Sequence, residues 1–237
     1  MKRSAHRAII TLGVFCWLGA MPSWAILIPD LSFDIPVQRI QGFLSGGLNH
    51  EFGGAIAYDI GYTRANGYSV TLDLHLTGAE PGTAIRQHWE SDTERIWTAR
   101  DRFAKPITLD VRFVDQNPHH VITVREGPGR GDVLNWYQGW PQGTGSPAPW
   151  AHEVGHYLGN YDEYPGGAVN PNGSHTNVPD SLMGTGSNLY DRHYSFVSDW
   201  AAVYAVPEPS SLIIVGLGAA TLLVTMMIPH VRRKRWL

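Results

Sequence analysis

The chain has 237 residues, with 18 Lys and Arg against 21 Asp and Glu for a formal net charge of -3. That near-neutral balance, with its one basic cluster at the extreme C-terminus, offers no electrostatic footprint for nucleic acid and excludes that class of partner. A hydrophobic share of 43% with 9 Trp and 10 Tyr excludes disorder of the whole, while 26 Gly and 16 Pro predict many turns.

Residues 1–7 carry Lys2, Arg3 and Arg7, an apolar run covers 8–21, and Ser23-Trp24-Ala25 is a small-x-small cleavage site, so 1–25 reads as a signal peptide. The apolar run is too short for the roughly 20 residues of a membrane-crossing helix. Cys16, the only cysteine, lies inside it. The mature chain is therefore expected to form neither a disulfide nor a thiolate metal site.

Residues 26–67 read as an irregular lead-in, with Gly46-Gly47 and Gly53-Gly54 marking turns. Val70, Leu72, Leu74 and Leu76 then alternate with Thr71, Asp73 and His75, which predicts a strand. Ile85, Trp89, Ile96 and Trp97 recur near helical spacing through 84–102 and predict an amphipathic helix. Ile107, Leu109, Val111 and Phe113 predict a second strand, and shorter ones are expected at 121–125 and 133–137. His119-His120 reads as a solvent-facing turn. A Pro-rich linker at 146–149 leads into a helix at 150–158, and 194–204 offers a last helix. One α+β domain over 68–205 is the expectation, and 26–205 falls within the usual single-domain span of roughly 100 to 200 residues.

The chemistry concentrates at His152-Glu153-Val154-Gly155-His156-Tyr157-Leu158-Gly159-Asn160-Tyr161-Asp162. On a helix, His152 and His156 stand one turn apart and aim their imidazoles at one point. Glu153 lies beside them, able to reach a metal-bound water without ligating the metal. Gly159 is expected to adopt a positive φ that ends the helix and turns the chain back, bringing Asp162 in as third ligand. Two imidazoles and one carboxylate, with a fourth position open, suit catalytic zinc. Zinc would lower the pKa of its water toward about 7, and Glu153 would accept the proton and pass it to a leaving amine.

This H-E-x-x-H-x-x-G-x-x-D run resembles the metzincin clan of zinc peptidases, in the Asp form of the snapalysin-type secreted enzymes. The resemblance implies a metzincin-like zincin: a mixed twisted sheet with a backing helix, an active-site helix and an irregular C-terminal subdomain. It also implies a methionine turn under the metal, for which Met183 in Ser181-Leu182-Met183-Gly184 stands at a suitable distance. Some members place a Tyr two residues after that Met, where this chain has Thr185. The role is left unassigned, with Tyr190, His193 and Tyr194 as candidates more readily read as packing residues. Glu163 is a rival to Asp162 that would need a different loop. His175 and Asp180 are distant candidates set aside because the local turn already supplies a ligand. The loop 170–174 reads as a turn that shapes the pocket or holds calcium, without EF-hand spacing. A peptide substrate is expected to add as a strand along 121–125 or 133–137.

Pro207-Glu208-Pro209, an apolar span at 211–228 and the cluster Arg232, Arg233, Lys234, Arg235 together resemble a PEP-CTERM sorting signal over 206–237. The resemblance implies processing by an exosortase in the inner membrane and delivery to the cell surface or medium. The function expected is a secreted zinc endopeptidase acting on peptides or proteins. The alternative is a non-catalytic, zinc-carrying protein that binds a surface or extracellular matrix.

Overall fold

The computed structural model describes residues 26–139 and 149–205. The segments read as signal peptide and sorting tail lie outside the described residues. Among the described residues no helix is long and apolar enough to cross a membrane.

The described residues form an α+β fold, with a mixed six-stranded sheet and three α-helices. Strands β1 (Ile35–Gly46), β2 (Phe52–Thr63) and β3 (Gly67–Gly78) come first, followed by helix α1 (Thr83–Trp97). Strands β4 (Ile107–Phe113), β5 (His120–Arg125) and β6 (Asn135–Tyr137) follow, then α2 (Pro149–Tyr157). A 3-10 turn at Asp191–Tyr194 leads into α3 (Ser195–Ala205).

The stretch 26–67 is not an irregular lead-in: β1 and β2 form an antiparallel hairpin, each strand 12 residues long, within the main sheet. Its pattern is hard to see because glycines replace several of the side chains that would alternate, and half of β1 is exposed. Gly47, at φ +87, begins the hairpin turn as expected. Gly53 and Gly54 lie instead inside β2, where the Phe43 ring lies over Gly53. Residues before β1 also join the core, since Ile28 and Leu31 are buried and Tyr62 donates its hydroxyl to Asp30 at 2.6 Å.

β3 is central, and Val70, Leu72 and Leu74 are buried to the last per cent, as their alternation predicted. α1 carries the chain from β3 back to a parallel β4, burying Trp89 and Trp97. The Trp97 indole donates to the Ala151 carbonyl at 2.9 Å, tying α1 to α2. Trp200 and Phe196 of α3 pack edge-on against Tyr68 and Tyr58.

β2 and β4 both pair with the first half of β3, on opposite edges. Beyond it the Leu74 carbonyl accepts from Val114 and the Asp73 carbonyl from His119. Successive carbonyls point to opposite edges, so β5 takes over the edge that β2 leaves. At this fork the Asp73 N–H has no strand partner and donates instead to His119 Nδ1 at 2.7 Å. His120 Nε2 binds the Ala57 carbonyl at 2.9 Å, with its ring stacked 4.0 Å from Tyr157. The pair is therefore buried, contrary to the solvent-facing turn expected of it: the His119 side chain is 0% exposed and His120 8%. Strand 121–125 likewise is no free edge, since β5 lies between β3 and β6. β6 is only three residues because Asp132 Oδ1 accepts the Leu134 and Asn135 N–H groups, holding 132–135 in a turn.

Candidate metal centre

α2 starts at Pro149, whose missing N–H costs nothing in a first turn. Trp150, Ala151, Val154 and Tyr157 face the core, which leaves His152 and His156 directed at the cleft. The helix ends in a Schellman motif: Asn160 N–H donates to the Gly155 carbonyl at 2.9 Å and Gly159 N–H to that of His156 at 3.0 Å. Gly159 sits at φ +95, the left-handed conformation expected of it.

That reversal carries Asp162 back to the helix. Its Oδ2 accepts the Ala168 N–H at 2.6 Å, and its Oδ1 lies 3.1 Å from His152 Nε2 and 3.4 Å from His156 Nε2. The far nitrogen of each ring is held by backbone. His152 Nδ1 meets the Leu182 carbonyl at 2.7 Å and His156 Nδ1 meets that of Asn160 at 2.8 Å. A carbonyl can only accept, so each Nδ1 bears a proton, and in the neutral ring this leaves a lone pair on Nε2 turned toward Asp162. Asp162 Oδ1 is itself buried with no hydrogen-bond donor. Three acceptors converging on one point call for a cation.

Bonds of about 2.0–2.1 Å to a tetrahedral ion place ligand atoms about 3.3 Å apart, close to the two separations observed. The residues present thus fit a metal ion, and all three ligand atoms lie within 4.8 Å of one another. Without an ion, the Asp162 carboxylate and the His156 imidazole instead favour each other's charged forms. Burial alone would raise the Asp162 carboxyl, but the two imidazoles hold it well below the usual range. Burial alone would lower His156, yet the carboxylates of Asp162 and Glu153 lift it to about 9.

Glu153 is 8% exposed and lines the same cleft, of about 880 Å³, as His152, His156 and Asp162. Burial pushes its carboxyl above the ordinary glutamate value, against the opposing pull of the two histidines. Met183 is fully buried under the helix: a Cβ at Gly155 would lie 2.4 Å from its sulfur. Only glycine between the two histidines lets that thioether approach so closely.

Glu163 is engaged elsewhere, gripped by Arg192 through Nε at 2.6 Å and Nη2 at 2.7 Å, with His193 at 3.4 Å. His175 and Asp180 are exposed and line no part of the cleft. Tyr190 donates to Asp180, and Tyr194 is buried against Trp97. None of these reaches the cleft, and Asn170–Gly173 closes into a turn outside it. Among the described residues, the tyrosine that does line it is Tyr164, which sequence reasoning passed over. Its ring lies 6.3 Å from that of His152, and its hydroxyl oxygen accepts from Arg130 Nη2 at 3.1 Å. Burial and the nearby Asp162 carboxylate raise its hydroxyl to about 12. No spacing rule marks it, because Arg130 arrives from the turn before β6.

A second group of ligand-type side chains, Asp59, Asp73 and His119, meets at the fork in the sheet. It is already neutralised. Arg39 Nε binds Asp59 at 3.0 Å, Arg112 Nε binds Asp73 at 2.7 Å, and His119 Nδ1 is taken by backbone.

No family model matches the sequence, and no curated protein or solved structure matches it either.

Proposed function

We propose that the chain is a zinc-dependent endopeptidase with a metzincin-like arrangement of sheet, backing helix and active-site helix. One observation carries the reading: the lone pairs of His152, His156 and Asp162 converge inside a cleft that also holds an unligated carboxylate, Glu153. Zinc rather than a harder cation suits two imidazoles and one carboxylate.

A zinc ion held there would acidify a water and withdraw electron density from a substrate carbonyl. The remaining steps belong to the chain. The Leu182 and Asn160 carbonyls keep both rings in the ligating tautomer. Glu153 takes the proton of the attacking water on its carboxylate and delivers it to the leaving nitrogen. Its raised pKa brings the two protonation states closer in energy near neutral pH. Tyr164, whose oxygen accepts from Arg130 and whose O–H lies beside Asp162, turns that O–H to the oxygen on which charge develops once Asp162 is engaged by a metal ion.

The test is metal analysis of the folded protein combined with casein cleavage. One equivalent of zinc is expected, and Glu153→Ala should retain the zinc while losing about 10²- to 10⁴-fold in kcat/KM. Stoichiometric zinc with cleavage indifferent to Glu153, or no cleavage at all, would overturn the enzyme reading in favour of a zinc-carrying surface protein.

A further inference from the structure

One wall of the cleft is built by the β1–β2 hairpin, and one face of that hairpin is incomplete. Leu44 pairs across the strands with Gly54, and Gly46 pairs with Phe52. Cross-strand partners share a face and alternate residues return to it, so Leu44, Gly46, Phe52 and Gly54 all look the same way. All four line the cleft that holds His152 and Glu153. Ile56 continues this face, with Cδ1 3.4 Å from the point where a Cβ at Gly159 would stand.

Gly54 therefore lies inside a ring of apolar side chains: Phe52 and Ile56 along its own strand and Leu44 directly across. A Cβ built at Gly54 meets no heavy atom within 4 Å, so the space above it is open. The backbone there does not require glycine, since Gly54 is absent from the positive-φ residues. The hairpin is locked over the site, because Gly47 N–H donates to the Val169 carbonyl at 2.7 Å and Gly46 packs on Ala168, whose N–H holds Asp162. The notch thus keeps a fixed place relative to the metal ligands. Phe52, 42% exposed at its rim, has apolar surface left to cover.

We infer that Gly54 floors a specificity subsite in which Leu44 and Phe52 flank one large aliphatic or aromatic side chain of a peptide substrate. The identity of the ligand rests on the peptidase reading, whereas the notch itself does not. A charged or strongly polar side chain would find no hydrogen-bonding side chain among these walls and would bind poorly.

Filling the notch tests this directly. Gly54→Val adds a β-branched residue suited to a strand, in open space. The probes are end-blocked peptides in which Leu, Phe or Gly is placed in turn at each position flanking the scissile bond. For the protein with zinc added, kcat/KM should favour Leu or Phe over Gly at one position, and Gly54→Val should reduce that preference about ten- to hundredfold. Phe52→Ala, which removes a wall instead, should also weaken it. The affinities of the same peptides for zinc-loaded Glu153→Gln, with and without Gly54→Val, are measured in parallel. Glu153-dependent cleavage with a preference that both variants leave intact overturns the subsite and spares the peptidase reading. Absence of cleavage, with peptide affinity that still prefers Leu or Phe and loses that preference in Gly54→Val, supports the subsite and sinks the peptidase. Neither cleavage nor peptide affinity overturns both.

Discussion

His152 and His156 owe their ligating form to backbone carbonyls contributed by two loops, at Leu182 and Asn160, and Asp162 owes its direction to the Ala168 N–H. The geometry of this cluster is therefore held by the chain itself, as a preorganised metal site would require. Tyr164 belongs to the same scale. Tyr164→Phe removes only the hydroxyl, so kcat should fall about 10²-fold with KM and zinc content little changed, measured by steady-state kinetics and metal analysis. An unchanged kcat would remove Tyr164 from the chemistry. Of these contributors the histidines, Glu153, Gly159 and Asp162 stand in one short run and can be read from their spacing. Tyr164 cannot, because its importance depends on Arg130 meeting it across the cleft.

Between elements, the loop after α2 is stitched to the methionine turn and to the 3-10 turn before α3. Glu163 N–H donates to the Met183 carbonyl at 2.7 Å, and its side chain is clamped by Arg192. Burial would raise the Glu163 carboxyl, but Arg192, His193 and Ser181 bring it down to about 2. Breaking such a pair from one side leaves a buried charge behind. Arg192→Met should cost about 3–5 kcal/mol in chemical denaturation, and adding Glu163→Gln should recover part of that loss. Zinc affinity, read by chelator competition, should fall with Arg192→Met, because Asp162 is the adjacent residue. Stability and zinc affinity both near those of the parent protein would show the clamp to be idle.

For the molecule as a whole, the fork in the sheet ties stability to pH. Burial lowers His120 from 6.5 to about 4, so the folded chain refuses a proton that the unfolded chain accepts. The unfolded state then binds more protons between those values, and stability falls as pH drops from 6.5 toward 4. His120 accounts for up to about 3 kcal/mol of that fall. His119 and His193, also lowered by burial, add to the slope. Denaturation midpoints across this range should fall less steeply in His120→Gln, and equal slopes would contradict the assignment. At the far end, a sorting signal predicts that the exported protein lacks the residues beyond about Pro209, whereas mass spectrometry finding an intact Arg232 to Leu237 end would refute processing.

The sequence by itself determined what depends on near neighbours along the chain. Alternation placed β3 and β4, helical spacing put His152 and His156 on one face, and the glycine at 159 announced the left-handed turn, because each follows from periodicity or from the backbone freedom of one residue. Tertiary structure decided the rest. The strands at 35–63 need partners to be strands at all, since glycines and an exposed face erase their pattern. His119 and His120 are buried because β2 leaves β3 there, an event with no local signature. Asp162 was legible in its spacing, but what occupies the neighbouring Glu163, an arginine 29 residues further along the chain, was decided at long range.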